Sequence, residues 1–278
     1  MRKYILPMAF CLFALGLQSC FQDMEHPAFN YPKSSDVVPD TPLKMYLPFD
    51  GEDFRDKGEY GFIVVDNGKA KFAANGVSGM AYQGASDAYI LANTPSLLKE
   101  VVPNIGSCTI AFWMKSAKNT AAQGLFSIPN KVKFWGNFDL FLENHNSPTQ
   151  AFFKIHILNQ TSKENDERWV EAKIDNVFGE DWVHLAFVYE GKTSTITVYR
   201  NGESAFTKEL AGCGDLKFNN VAASLAIGAF QFSTQPSLTT GAGAQSWASN
   251  FPGQLDQFRL YDKAMSASEV QSLYSQKE

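Results

Sequence analysis

Three stretches of the chain set an aromatic ring beside side chains that form hydrogen bonds. Side chains alternate faces along a strand. In "KFWGNFDLFLENH" (133–145), alternation sends Phe138, Leu140 and Leu142 one way and Trp135, Asn137, Asp139, Phe141 and Glu143 the other. In "AFFKIHIL" (151–158), Phe153, Ile155 and Ile157 point inward, leaving Phe152, Lys154 and His156 outside. In "RWVEAKI" (168–174), Val170, Ala172 and Ile174 point inward, leaving Trp169, Glu171 and Lys173 outside. The chemistry suited to such a face is recognition of a sugar. An indole covers the apolar C–H side of a pyranose, and amide, carboxylate, ammonium or imidazole groups bond its hydroxyls. Trp135, Asn137, Asp139, Lys154, His156, Trp169 and Glu171 are the residues this pattern selects. A bulge seated on Gly136 would shift the alternation by one and turn Trp135 into the core.

Trp247 is the remaining candidate of this kind. It ends "STQPSLTTGAGAQSWASN", a Gly-, Ser- and Thr-rich segment of the length at which loops are often functional. There it either caps a ligand or plugs the edge of the fold.

Catalysis finds little support. Glycoside hydrolysis needs two carboxyl groups about 5–10 Å apart. Asp139 and Glu143 share a face, but four strand residues separate them by roughly 13 Å. Glu143 and Glu171 approach only if their strands are neighbours. "ENDERWVE" (164–171) grazes the Glu-x-Asp-x-x-Glu pattern of retaining β-glucanases, with Arg168 and Trp169 near where the third acid belongs. No Ser–His–Asp arrangement is legible, and His156 and His184 read as sheet residues.

These residues need strands to hold them, and strand signals recur throughout the body. "WVHLAFVYEGKTSTITVYRNGE" is a β-hairpin, with Val183, Leu185, Phe187 and Tyr189 alternating before the turn and Thr195, Thr197 and Tyr199 after it. Its first strand is apolar on both faces, as expected of a strand covered on both sides. Further strands are predicted at 44–49, 62–65, 70–72, 79–82, 109–115, 138–142, 152–158, 170–174, 224–228 and 254–261. The tail "MSASEVQSLYS" predicts one short helix, with Ser266 as N-cap, Glu269 at capping-box spacing, and Val270, Leu273 and Tyr274 as an apolar stripe. Many strands and one terminal helix describe an all-β sandwich.

The first residues bear on location. Arg2 and Lys3 precede a short apolar run ending in "LQSC", which reads as a secretory signal, too short for a comfortable membrane span of about 20 residues. Leu17, Ser19 and Cys20 resemble a bacterial lipoprotein signal. That resemblance implies cleavage after residue 19 and lipidation of Cys20, anchoring a soluble body to a membrane. Residues 20–43, proline-rich and aperiodic, read as a tether. Asp23 and Glu25 near its start resemble the export signal of surface-exposed Bacteroidetes lipoproteins. The expected location is therefore the outer membrane, lipid-anchored, at the cell surface. The chain carries a net charge of −5, and loss of Arg2 and Lys3 with the signal takes it to about −7. With no basic stripe, nucleic acid is disfavoured as a partner. Cys108 and Cys213 remain in the body, either as a disulfide or as two separate buried thiols.

Over residues 44–278 the chain resembles a known family. "MYLPFDGEDFRDKG", "GVSGMAYQGASDAYI", "CTIAFWMKS", the hairpin above, "LAIGAF" and "FPGQLDQFRLYDKAMSASEV" follow in the order of LamG-like jellyroll domains of the concanavalin A-like superfamily. The resemblance implies a two-sheet antiparallel jellyroll sandwich and, often, carbohydrate binding, and it implies that Trp113 and Trp182, which stand where the family keeps core tryptophans, are packing residues. It also implies a calcium site near the first and last strands, where Asp50 and Asp256 occupy the matching places; turn chemistry for Asp50 and a strand-edge hydrogen bond for Asp256 are the alternatives. The resulting expectation is a glycan-binding surface lipoprotein without catalytic activity. A protein-binding or adhesive module on the same fold is the alternative, with surface proteins as partners, and a divergent glycosidase a more distant one.

Overall fold

The computed structural model describes residues 40–51, 53–160 and 166–277. The expected signal segment, Cys20 and nearly all of the tether lie outside the described residues. Among the described residues sixteen strands follow in chain order: β1 (Leu43–Leu47), β2 (Ile63–Asp66), β3 (Lys71–Ala73), β4 (Ala81–Gln83), β5 (Ile90–Asn93), β6 (Cys108–Lys115), β7 (Ala122–Ile128), β8 (Phe138–Glu143), β9 (Ala151–Asn159), β10 (Asp166–Ile174), β11 (Val183–Glu190), β12 (Thr195–Arg200), β13 (Glu203–Glu209), β14 (Ser224–Ile227), β15 (Ala248–Asn250) and β16 (Gln254–Tyr261). The helix α1 (Ala267–Ser275) closes the chain.

They form two sheets. The first runs β13-β12-β11-β6-β16-β4-β3, with β1 also on β16; the second runs β10-β9-β8-β7-β14-β5-β2, with β15 also on β7. All pairings are antiparallel except the short parallel contact of β15 with β7. The result is the all-β sandwich expected from the strand pattern, with the two antiparallel sheets that the family resemblance implies. Its core holds inward residues of both sheets, among them Phe112 stacked on Phe258 at 5.6 Å and Phe153 edge-on to Phe187 at 5.1 Å.

The apolar second face of β11 has its own cover. Ala186 and Val188 pack beneath Val270 and Leu273 of α1. The capping box forms as predicted: Ser266 Oγ accepts from the Glu269 N–H, and the Glu269 carboxylate accepts from the Ser266 N–H. Trp113 is buried, but under this helix rather than between the sheets, edge-on to His184 and against Tyr274. Cys108 and Cys213 are separate buried thiols, and burial pushes that of Cys108 up to about 12.

Two differences from the sequence-based expectation matter to the site. β7 (AQGLFSI) was not predicted. A register shift between Gly124 and Phe126 breaks its alternation, and Gly124 is required because the Ala229–Phe230 backbone crosses too close for any Cβ. β8 begins at Phe138, so Trp135 stands in the preceding loop rather than on the strand.

Candidate functional site

The register of the second sheet sets the predicted outward residues in rows. Asp139, His156 and Trp169 lie opposite one another across β8, β9 and β10; Phe141, Lys154 and Glu171 form the next row. This face is turned away from the inter-sheet core. Part of it is nonetheless covered. The loop before β8 and the segment 229–250 fold over it and build a second aromatic cluster from Phe134, Trp135, Phe141, Trp169, Phe230 and Phe232.

Trp135 is the centre of that cluster and is half-buried. It stacks on Phe141 with 8° between planes and 5.5 Å between centroids, and meets Trp169 edge-on at 5.1 Å. Trp247, 43% exposed, packs against it at 5.9 Å and against Phe232 at 5.7 Å. Trp247 therefore joins the Trp135 group, and the sequence could not show this because Trp247 is brought in by the long loop. Trp182 lies elsewhere, its indole donating to Asn75 O with Lys115 over its ring.

The loop that carries Trp135 is fixed by buried amides. Gln231, fully buried, accepts from Asn130 N–H at 2.6 Å and donates to the carbonyls of Lys133 and Phe134, each at 2.8 Å. Asn130 Oδ1 accepts from Val132 and Lys133 N–H, while its Nδ2 donates to Asn137 Oδ1 at 3.0 Å. Asp139 accepts from Gly136 N–H and from Ser127 Oγ, both at 2.6 Å. Such fully paired networks rigidify what they hold.

This corrects two of the predicted ligand contacts. Asn137 and Asp139 do face away from the core, but both are sealed under the loop and committed to internal partners, Asn137 donating to Pro129 O and Asp139 bonding as above. They position Trp135 rather than meeting a ligand. Alternation tells which face a residue takes, not what later covers it.

The accessible part is a cleft of about 200 Å³ lined by Lys133, Phe134, Trp135, His156, Leu158 and Glu167. Glu167 was not among the predicted residues. Its side chain is 49% exposed, and one oxygen, Oε1, lies 3.1 Å from His156 Nε2 and accepts from Trp169 Nε1 at 3.2 Å. Its place on the Trp169 face, two residues earlier in β10, was the available signal. His156 is buried, with Nδ1 3.4 Å from Asp139 Oδ2 but poorly aligned for a hydrogen bond. A carboxylate and two flat rings thus share one cleft, with the buried His156 imidazole behind the carboxylate, so His156, like Asp139, supports the cleft rather than presenting its polar atoms to a ligand.

Beside it, Lys154 Nζ stands between Glu143 at 3.5 Å and Glu171 at 3.6 Å. The two acids do approach across strands, with an ammonium between them. Asp166, of the glucanase-like stretch, is paired with Arg168 at 2.7 Å, and Glu164 lies outside the described residues.

Asp50 and Asp256 meet at the turn 76–79, which Gly76 N–H closes onto Gly79 O. A Cβ on Gly76 would fall 2.8 Å from Asp256 Oδ2, and one on Gly79 2.8 Å from Asp50 Oδ1. Asp256 is buried and accepts from Val77 N–H at 2.6 Å, from Ser78 N–H at 3.4 Å and from Gln257 N–H at 2.8 Å. Burial, opposed by those bonds and reinforced by the Asp50 charge, pushes its pKa up to about 7. Two carboxylates offer oxygen ligands to a hard divalent cation, whereas the backbone groups bonded to Asp256 are N–H donors and offer none. Much of Asp256's accepting capacity is already used, so the fit rests on its remaining lone pair and on Asp50. Among the described residues no cluster of three or more His, Cys, Asp or Glu side chains is placed to hold a metal.

The fold has solved counterparts. The binding domain of Paraclostridial Mosquitocidal Protein 1 superposes with a TM-score of 0.61 at 13% identity, over 84% of this chain and 52% of that one. The binding domain of botulinum neurotoxin DC, solved with rat synaptotagmin II, gives 0.56 at 14% identity, over 85% and 52%. A structure of botulinum neurotoxin type C, whose cell entry depends on interaction with two ganglioside molecules, gives 0.58 at 13% identity, over 85% and 51%. The chain spans about half the length of these proteins, and at such identity the likeness is one of fold. No curated protein matches the chain in sequence. A family model does match, over residues 83–271, from the end of β4 into α1. By that match the chain belongs to the concanavalin A-like lectin/glucanase superfamily, as a Laminin_G_3 domain.

Proposed function

We propose that the protein is a non-catalytic glycan-binding module, anchored through a lipidated Cys20 to the outer membrane and displayed at the cell surface. The observation that carries the glycan reading is the cleft that Trp135, Phe134, His156 and Glu167 line together. The rings offer an apolar wall for a sugar's C–H face, and the Glu167 oxygen not shared with Trp169 and His156 offers an acceptor for its hydroxyls. Binding without cleavage is supported by the state of the nearby acids. Asp139 is sealed, Glu143 and Glu171 share an ammonium, and Asp166 is paired with Arg168.

A glycan array probed with the wild-type protein and with Trp135→Ala tests this reading. Binding to defined glycans by the wild type alone supports it; no binding across broad polysaccharide panels contradicts it. The anchor is tested separately, by labelling with a fatty-acid analogue that the wild type takes up and Cys20→Ala does not. We further propose that Asp50 and Asp256 hold a structural calcium ion.

A protein-binding role has one observation in its favour. β2 is an edge strand with Ile63 67% and Val65 45% exposed, a surface open to strand addition. Ile63→Lys with Val65→Lys would abolish a protein contact there and leave glycan binding intact.

A further inference from the structure

The segment 229–250 contributes to a second recess, of about 500 Å³, which the aromatic cleft does not include. Its wall is built from separate parts of the chain: the approach to β5, the start of the long loop, and β15. We propose that this recess is a second sugar-binding site, taking a neutral, hydroxyl-rich ring.

The lining carries the argument. Ser86, Ser233, Gln235, Ser249 and Asn250 are neutral groups that both donate and accept hydrogen bonds. A sugar's vicinal hydroxyls have the same dual capacity. Asp87 is the one charged side chain among the described residues of the lining, and Lys69 stands 3.7 Å from it, so the lining carries little net charge to draw an ionic ligand. Asn250 is only 4% exposed, and among the described residues its Oδ1 has no hydrogen-bond partner. A buried acceptor left unpaired is uncommon, and a small rotation of the Asn250 side chain, which lines the recess, would bring it to a ligand hydroxyl.

The recess is also built before any ligand arrives. Tyr89 Oη accepts from Gln235 N–H at 2.8 Å and donates to Gln235 O at 3.2 Å, tying the loop to the start of β5. Asn250 N–H donates to Ser86 O at 3.3 Å, and the following Phe251 N–H to Gly228 O at 2.8 Å. A pre-formed concavity of this size with a few converging polar groups falls within the range of small-ligand sites. The proposal goes beyond the aromatic cleft and does not require that cleft to be occupied.

The test is nitrogen-15 NMR of the protein titrated with the methyl glycosides of glucose, galactose, mannose and N-acetylglucosamine. At least one probe is expected to move the Asn250 side-chain amide and the Tyr89 and Ser249 backbone signals. Ser233→Trp, which fills the recess, is expected to weaken that response at least about tenfold while leaving responses at the Trp135 indole unchanged. Ser86→Trp, from the opposite contributing segment, is the second variant and is read the same way if Ser233→Trp does not fold. Recess shifts without Trp135 shifts uphold this proposal and count against the cleft. Trp135 shifts without recess shifts overturn the proposal and leave the cleft standing. Absence of recess shifts with every probe, or equal shifts in both variants, also overturns it.

Discussion

The indole of Trp135 lies parallel to the ring of Phe141, 8° apart in plane with centroids 5.5 Å apart. One ring comes from a loop and the other from the outward face of β8. Phe141 is fully buried by the contact, so only part of Trp135 is left for a ligand. The proposed sugar platform thus lies one layer further out than the sheet.

Gly136 should tolerate no side chain. A Cβ there would sit 2.7 Å from both Asp139 Oδ1 and Ser127 Oγ, and 2.9 Å from Ile128 O. Gly136→Ala is expected to cost about 1–3 kcal/mol through overpacking and to push the Trp135 loop outward. Chemical denaturation measures the loss, and a shift in tryptophan emission reports the loop.

Gln231→Leu should separate loop order from ring chemistry. It leaves the Phe134 carbonyl and the Asn130 N–H unpaired, while the Lys133 carbonyl keeps the Thr239 Oγ1 donor at 2.6 Å. The expected loss is about 1–3 kcal/mol per buried group left unpaired. Glycan affinity should fall as well, although Gln231 is buried and touches no ligand. Denaturant midpoints and binding titrations, compared with Trp135→Ala, measure both effects.

Much of this arrangement was visible in the sequence. The alternation of β8, β9 and β10 gave the outward face of Asp139, His156, Lys154, Trp169 and Glu171, because the strand period leaves a single choice once Phe138, Phe153 and Val170 go inward. The β11–β12 hairpin and the Ser266–Glu269 capping box were equally plain, being set by local turn and cap chemistry. What was hidden is long-range. Nothing near Gln231 signals that it will bond to residues about a hundred positions earlier. Nothing in "AQGLFSI" alternates, since the β7 register shifts at Gly124. The burial of Asn137 and Asp139 depends on loops whose path no periodicity records.

Acid should weaken the fold through His184. Burial under α1, with the Arg259 charge adding to it, lowers the His184 pKa from 6.5 to about 3. Between those values the unfolded chain binds a proton that the native protein refuses, so the His184 contribution to stability falls as pH falls from about 6.5 towards 3, while Asp256, with its pKa raised to about 7, contributes in the opposite sense between about 7 and 3.8. The slope from His184 alone approaches roughly 1 kcal/mol per pH unit. His184→Gln removes it. Urea unfolding of both proteins between pH 7 and 4 should show the wild type losing stability faster with acid than the variant.

Calcium at Asp50 and Asp256 predicts a rise in the thermal midpoint on adding calcium chloride, reversed by a chelator. At a hundred times the dissociation constant the gain is about 2.7 kcal/mol. Asp50→Asn should lose most of that rise while keeping the fold, because Asp50 is exposed and makes fewer internal bonds than Asp256. An unchanged midpoint in calcium argues against the ion.

Calorimetric titration of an array-identified glycan into the wild type, Trp135→Ala and Glu167→Gln tests the central reading most directly. At unchanged fold, each variant is expected to bind at least about tenfold more weakly. Wild-type affinity in both variants would contradict the cleft as the place where this protein meets a sugar.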